Sequence, residues 1–192
     1  MSSSSPKKIG LYGGTFDPIH NGHLILARDA MERLELDRVV FLPAHVSPHK
    51  LDRPPASAEA RCRMVAESIE DEPGFFLDDR EVRREGPSFT IDTVREYGRE
   101  FPGAELYYFI GDDNLDELHT WKDIDELRRL VQFVVLSRAG MPFLAEFPTI
   151  TRRVEISSTE IRNRIARGLS VRYMVPYPAT QVITMLGLYK ND

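Results

Sequence analysis

Three features of this chain predict an α/β fold, a Rossmann-like doubly wound sheet of mostly parallel strands with helices on both faces. Short apolar runs, continuous rather than alternating, recur along the sequence. Stretches of helical periodicity separate them, and a glycine-rich turn stands where the first run hands over to the first helical pattern. A continuous apolar strand has to be covered on both sides, and strands alternating with helices form βαβ units with right-handed crossovers. Ligands of such sheets bind beyond the carboxyl ends of the strands, near the point where strand order reverses.

The elements follow in order. Residues 1–8 are polar and serine-rich, lack the apolar core of a signal peptide, and are expected to form a disordered tail. A first strand is predicted at 9–12, and Leu24, Ala27, Met31 and Leu34 recur at helical spacing to predict a helix over 24–34. A strand at 39–42 leads into 43–57, which carries Pro43, Pro48, Pro54 and Pro55 and reads as a mobile substrate loop. A helix over 58–69, a strand at 75–77, a helix over 91–101, a strand at 106–110, a helix over 124–130 and a strand at 133–136 complete the alternation. Residues 138–149 are irregular, and 152–192 are expected to be the helical C-terminal part of one domain spanning 9–192.

Composition narrows the function. A chain of 192 residues can bury about 70% of its unfolded surface in one core without a metal or disulfide staple. Cys62 is the only cysteine, so no intrachain disulfide forms, which suits a reducing, cytoplasmic setting. No apolar run approaches the length of a membrane span. A formal net charge of −5 argues against a protein that coats nucleic acid. Small-molecule partners are therefore expected, with no nucleic acid and no membrane, for a monomer or small homo-oligomer. Two local basic clusters remain: Arg152, Arg153, Arg162, Arg164, Arg167 and Arg172 against Glu155 and Glu160, and His45, His49, Lys50 and Arg53. Charge pattern alone reads either one as a solvated face.

The most informative stretch runs Gly13-Gly14-Thr15-Phe16-Asp17-Pro18-Ile19-His20-Asn21-Gly22-His23-Leu24. Gly13 and Gly14 permit backbone angles closed to other residues, and Gly22 is expected to let a ligand approach the first helical turn. Free N–H groups and the positive end of the helix dipole favour an anion there. His20 and His23, three residues apart, can aim ring nitrogens at that anion, with phosphate oxygens the natural target. A zinc site fits poorly, since the zincin spacing is four with an intervening glutamate and no cysteine pair is available.

Near the C-terminus, Ile156-Ser157-Ser158-Thr159-Glu160-Ile161-Arg162 starts a helix. Ser157 and Glu160 have capping-box spacing, and Ile156 with Ile161 fits a hydrophobic staple. Arg162 lies four residues after Ser158, on the same face and leaning toward the helix start, so hydroxyls, amides and a guanidinium converge on a site suited to polyphosphate. Gly111, Asp112 and Asp113 follow the strand at 106–110; a carboxylate there can accept from ribose hydroxyls or serve a plain turn. Trp121, the only tryptophan, suits either stacking on a heteroaromatic ring or packing. Residues 88–93 can cap the next helix or offer hydroxyls and amides to a carboxylate. The P-loop, the G-x-G-x-x-G fingerprint and the G-x-S-x-G elbow are all absent.

Taken together, His20-Asn21-Gly22-His23 and the stretch 156–162 resemble the two signatures of the H-x-G-H nucleotidyltransferase superfamily. Within it the chain is most similar to the bacterial nicotinate-nucleotide adenylyltransferases, through 13–24, Pro48-His49-Lys50, 88–93, Gly111-Asp112-Asp113 with Trp121 downstream, and 156–162, in family order. The resemblance implies adenylyl transfer from ATP to nicotinate mononucleotide, with Mg²⁺ arriving on the ATP phosphates. It implies an ATP site of Gly13, Thr15, Phe16, His20, His23, Gly111, Asp113, Ile156, Ser157, Ser158, Thr159 and Arg162. It implies a mononucleotide site of Thr15, Phe16, Lys50, Thr90 and Trp121, and it makes His20, His23, Lys50 and Arg162 catalytic. Asp113 rather than Asp112 matches the ribose-contacting position. The charge of Lys122 is expected to favour an acid over an amide. The alternatives are transfer to nicotinamide mononucleotide or to phosphopantetheine, and a non-catalytic nucleotide sensor.

Overall fold

A computed structural model describes residues 5–45, 54–138 and 146–190. Its strands are β1 (Lys8–Gly14), β2 (Arg38–Pro43), β3 (Phe75–Leu77), β4 (Glu105–Gly111), β5 (Gln132–Ser137) and β6 (Thr149–Thr151). They form one sheet in the order β3-β2-β1-β4-β5-β6, and every pairing is parallel. Strand order reverses between β1 and β4, so the crevice for a ligand opens above their carboxyl ends, at Gly14 and Gly111.

Seven α-helices are found among the described residues: α1 (Asn21–Leu34), α2 (Ala58–Ile69), α3 (Arg80–Arg83), α4 (Thr90–Glu100), α5 (Ile124–Leu130), α6 (Ser158–Ala166) and α7 (Tyr177–Met185). Successive strand side chains point to opposite faces, and neighbouring residues accordingly serve two cores. Tyr12, Phe41 and Phe109 pack with Leu26 and Ala30 of α1, Met64 and Val65 of α2, and Val182 of α7. Leu11, Val40 and Tyr108 pack with Ile91 and Val94 of α4 and Leu127 of α5. Helices cover both faces, as the continuous apolar strands require.

Several boundaries differ from the sequence expectation. β1 begins at Lys8, inside the stretch read as tail, because the Asp37 carboxylate accepts from the Lys7 and Lys8 backbone N–H groups at 2.6 and 2.9 Å. α1 begins at Asn21, one turn before the first periodic leucine. β6 starts at Thr149, the last residue of the stretch read as irregular, and was not expected; it is only three residues long, and only its central Ile150 is buried. α3 has four residues, too few to show a period, while α6 and α7 lie within the stretch expected to be helical. Of the expected substrate loop, residues 46–53 lie outside the described residues, as do 139–145.

Candidate active site

The crevice starts at the exit of β1. Gly13 and Gly14 are still in the strand, paired with Leu42 and Pro43, and neither takes the left-handed backbone conformation expected of them. Gly13 is needed for space instead: a Cβ there would lie 2.1 Å from the Tyr108 hydroxyl. The left-handed turn residue is Phe16, at φ 48°, whose buried ring packs edge-on against Tyr12 and His23 at 5.5 and 5.2 Å. Gly22 has a packing use besides the one expected. A Cβ at Gly22 would lie 3.0 Å from His20 Nδ1, so this glycine makes room for the histidine ring.

His20 caps α1 and His23 sits in its first turn, with their rings stacked at 3.6 Å. The His20 backbone N–H donates to His23 Nδ1 at 3.2 Å, so a neutral His23 carries its proton on Nε2. His20 is fully buried, and neither of its ring nitrogens has a hydrogen-bond partner among the described residues. Burial, reinforced by the positive charge of Arg138, lowers the His20 pKa to about 3. The ring therefore borders the crevice as a neutral imidazole with unused hydrogen-bonding capacity.

The start of α6 is docked onto the same loop. Ser157 caps α6 by accepting from Glu160 N at 3.1 Å, and Ile161 is fully buried beneath it. The Ser158 hydroxyl donates to Pro18 O at 2.9 Å; Arg162 donates to Asp17 O at 2.7 Å and to Thr159 Oγ1 at 3.2 Å. Asp17 anchors the other side, accepting from the Tyr189 hydroxyl at 2.7 Å and from Ala56 N at 3.0 Å. A chamber of about 600 Å³ results, lined by Gly13, Thr15, Phe16, His20, His23, Gly111, Ser157, Ser158, Thr159 and Arg162 among others. Ile156 is held beside it, its carbonyl accepting from Arg138 at 2.9 Å. Of the six arginines in the C-terminal basic cluster, Arg162 is the one that lines this chamber; Arg152 pairs with Asp29 of α1 at 2.6 Å.

A second chamber of about 350 Å³ opens on the other side of the β1 exit and shares Gly13, Gly14, Thr15, Gly111 and Asn114 with the first. Thr90 and Trp121 line it with Glu81, Ser88, Tyr108 and Lys122. Thr90 donates to the Tyr108 hydroxyl at 3.3 Å, and Trp121 stands edge-on to Tyr108 at 5.8 Å. Ser88 accepts from His45 N at 3.0 Å rather than capping α4, which has no side-chain cap. Lys122 lies 3.4 Å from Asp92, so its charge is shared with a carboxylate. Asp112 accepts from the Ser137 hydroxyl at 2.9 Å. Lys50 and the side chain of Asp113 lie outside the described residues.

Four side chains important to this geometry are absent from the sequence-derived set. Arg138 follows the last residue of β5 and lines the first chamber. Arg61, one part in a hundred exposed, donates to Thr15 O, Ala56 O and His45 O at 2.8, 3.1 and 3.2 Å. Glu81 and Tyr108 carry no sequence signal, since burial in a chamber wall is a tertiary property.

The arrangement offers two neighbouring recesses, one rich in anion-binding groups and one aromatic. Residues 11–164 match the cytidylyltransferase-like family model. A probable nicotinate-nucleotide adenylyltransferase of Opitutus terrae is 42% identical over 95% of this chain and 98% of its own length. One from Thermus thermophilus is 44% identical over 95% of this chain and all of its own. Among solved structures, the nicotinic acid mononucleotide adenylyltransferase of Plasmodium falciparum, complexed with NaAD, has the same fold, with a TM-score of 0.79 at 20% identity over 95% of this chain and 97% of that one.

Proposed function

The chain belongs to the cytidylyltransferase-like family and, within it, to the nicotinate-nucleotide adenylyltransferases, and from that premise we propose how its own residues carry the reaction. The enzyme transfers the adenylyl group of ATP to nicotinate mononucleotide, giving nicotinate adenine dinucleotide and pyrophosphate in NAD biosynthesis. One observation carries the assignment of residues: the two chambers share the walls Gly13, Thr15 and Gly111, so two bound nucleotides meet at the β1 exit.

ATP occupies the larger chamber as its Mg²⁺ salt, with the polyphosphate against His23, Arg138, Ser158, Thr159 and Arg162. The pyridine ring of the mononucleotide enters the smaller chamber between Thr90 and Trp121. A 5′-phosphate oxygen of the mononucleotide attacks the α-phosphorus of ATP in line; a new P–O bond forms and the bond to the β-phosphate oxygen breaks. Pyrophosphate leaves with the electron pair. The nucleophile is already an anion, so no general base and no covalent intermediate are needed. Bringing two anions together is the remaining difficulty, and Lys50, Arg138 and Arg162 supply positive charge while His20 and His23 supply hydrogen bonds. His20 acts here as a neutral ring, because burial keeps it uncharged at physiological pH. ATP consumption suits a cytoplasmic setting.

Pyrophosphate release from ATP, assayed with the acid mononucleotide, the amide mononucleotide and phosphopantetheine in turn, tests the reading. Release is expected to be fastest with the acid mononucleotide. Faster release with either other acceptor would reassign the substrate, and no release with any of the three would make the protein a nucleotide sensor.

A further inference from the structure

The titratable groups lining the smaller chamber are Glu81, Tyr108 and Lys122. The ring of the acid mononucleotide carries a carboxylate on a pyridinium and that of the amide does not, so a carboxyl group in the wall of the pocket is an unexpected neighbour for the acid. We propose that Glu81 is a specificity-determining residue of this chamber: its carboxyl braces the 88–93 turn and sets how well a pyridinium bearing a carboxylate is accepted relative to one bearing an amide. The proposal rests on the reading of this chamber as the mononucleotide site.

Glu81 is buried, at 4% exposure, and accepts from Thr93 Oγ1 at 2.7 Å; the Ser88 hydroxyl also hydrogen-bonds to it. Thr93 belongs to the first turn of α4 and is itself fully buried. Glu81 thus holds both ends of the turn that presents Phe89 and Thr90 to the chamber. The charged and titratable groups facing it are Arg84, Asp78 and the Tyr108 hydroxyl. Arg84 is already committed, donating to Thr93 Oγ1 at 3.3 Å and to Glu96 at 2.8 Å. Burial outweighs these contacts and pushes the Glu81 carboxyl above the usual carboxylate range. A neutral Glu81 lets the nicotinate carboxylate approach without like-charge repulsion. As pH rises and Glu81 ionises, the acid substrate is penalised and the amide is not.

The acid and amide mononucleotides share phosphate, ribose and pyridinium, so titration of the phosphate cancels in the ratio of their kcat/KM values, and the Glu81 and Thr93 variants separate the Glu81 ionisation from that of Lys122 and Tyr108. We expect this ratio to fall roughly three- to tenfold in the wild type as pH rises through the ionisation of Glu81, given the strength of a like-charge contact in a partly desolvated pocket. The amide's competitive inhibition constant stands in if its turnover is too slow. In Glu81→Gln the ratio should be flat. Thr93→Val, which removes a hydrogen bond favouring the ionised carboxyl, should move the fall to higher pH, and it decides the matter if Glu81→Gln does not fold. A flat wild-type ratio, a fall that persists in Glu81→Gln, or an unmoved fall in Thr93→Val overturns the proposal. Loss of activity toward the acid mononucleotide in the wild type would instead overturn the reading on which it rests.

Discussion

His20 is the least comfortable side chain in the molecule, buried with two unpartnered ring nitrogens and a pKa lowered to about 3 from 6.5. The unfolded chain binds a proton at His20 that the folded chain refuses, so stability is lost as pH falls from 6.5 toward 3. By pH 5 the loss is about 2 kcal/mol, or about 4–8 °C in Tm for a chain of this size. Calorimetry should show a shallower drop between pH 7 and pH 5 in His20→Asn than in the wild type; parallel drops would mean that the buried ring is protonated in the native state. His23→Ala removes a preorganised donor and should lower turnover by roughly 10²–10³-fold while the circular dichroism spectrum is retained. Gly22→Ala separates packing from function. Alanine favours a helix by about 0.5–1 kcal/mol, yet its Cβ would press on the His20 ring, so thermal stability should stay near wild type while kcat falls. Unchanged kcat in that variant would show that the ring position does not matter. The histidine pair was legible as an anion-directed signal, but the neutrality of His20 was not, because its desolvation depends on burial in the folded chain.

At the scale of elements, the decisive contacts join parts distant in sequence. α6 is fixed to the 17–18 turn by Ser158 and Arg162, and that turn is fixed to the chain end by Tyr189. Arg61 of α2 ties the Thr15 carbonyl to the carbonyls of Ala56 and His45, which lie near the two ends of the 43–57 stretch read as a substrate loop. A lysine has one nitrogen and lacks the guanidinium's planar fork, so it cannot satisfy the three carbonyls in the same way. Arg61→Lys is expected to lose roughly 1–3 kcal/mol of stability in urea unfolding and to raise KM for both substrates. A variant with wild-type midpoint and KM would show that the three carbonyls find other donors. The capping box at Ser157 was legible, since local hydrogen bonds repeat with a fixed offset. What α6 docks against was not, because no local rule joins residue 162 to residue 17.

At the scale of the whole molecule, the larger chamber, proposed to take ATP, draws on β1, α1, β4, β5 and α6 together, so a nucleotide bound there should stabilise the fold globally. A non-hydrolysable ATP analogue at 100 times its Kd should add about 2.7 kcal/mol, read as a rise of about 5–11 °C in Tm. No rise at saturating analogue would mean that the chamber does not take ATP. The sequence by itself determined the α/β class, the parallel sheet, the two signatures and the family they resemble, because hydrophobic periodicity, capping offsets and short motifs are local in the chain. Strand order, the edge strand β6, the shared wall between the chambers and the places of Arg61, Glu81, Tyr108 and Arg138 were decided by tertiary structure alone. Burial and electrostatic environment arise only when segments far apart in sequence are packed together, and it is that packing which turns Gly22 into space for His20 and Glu81 into a wall of the substrate pocket.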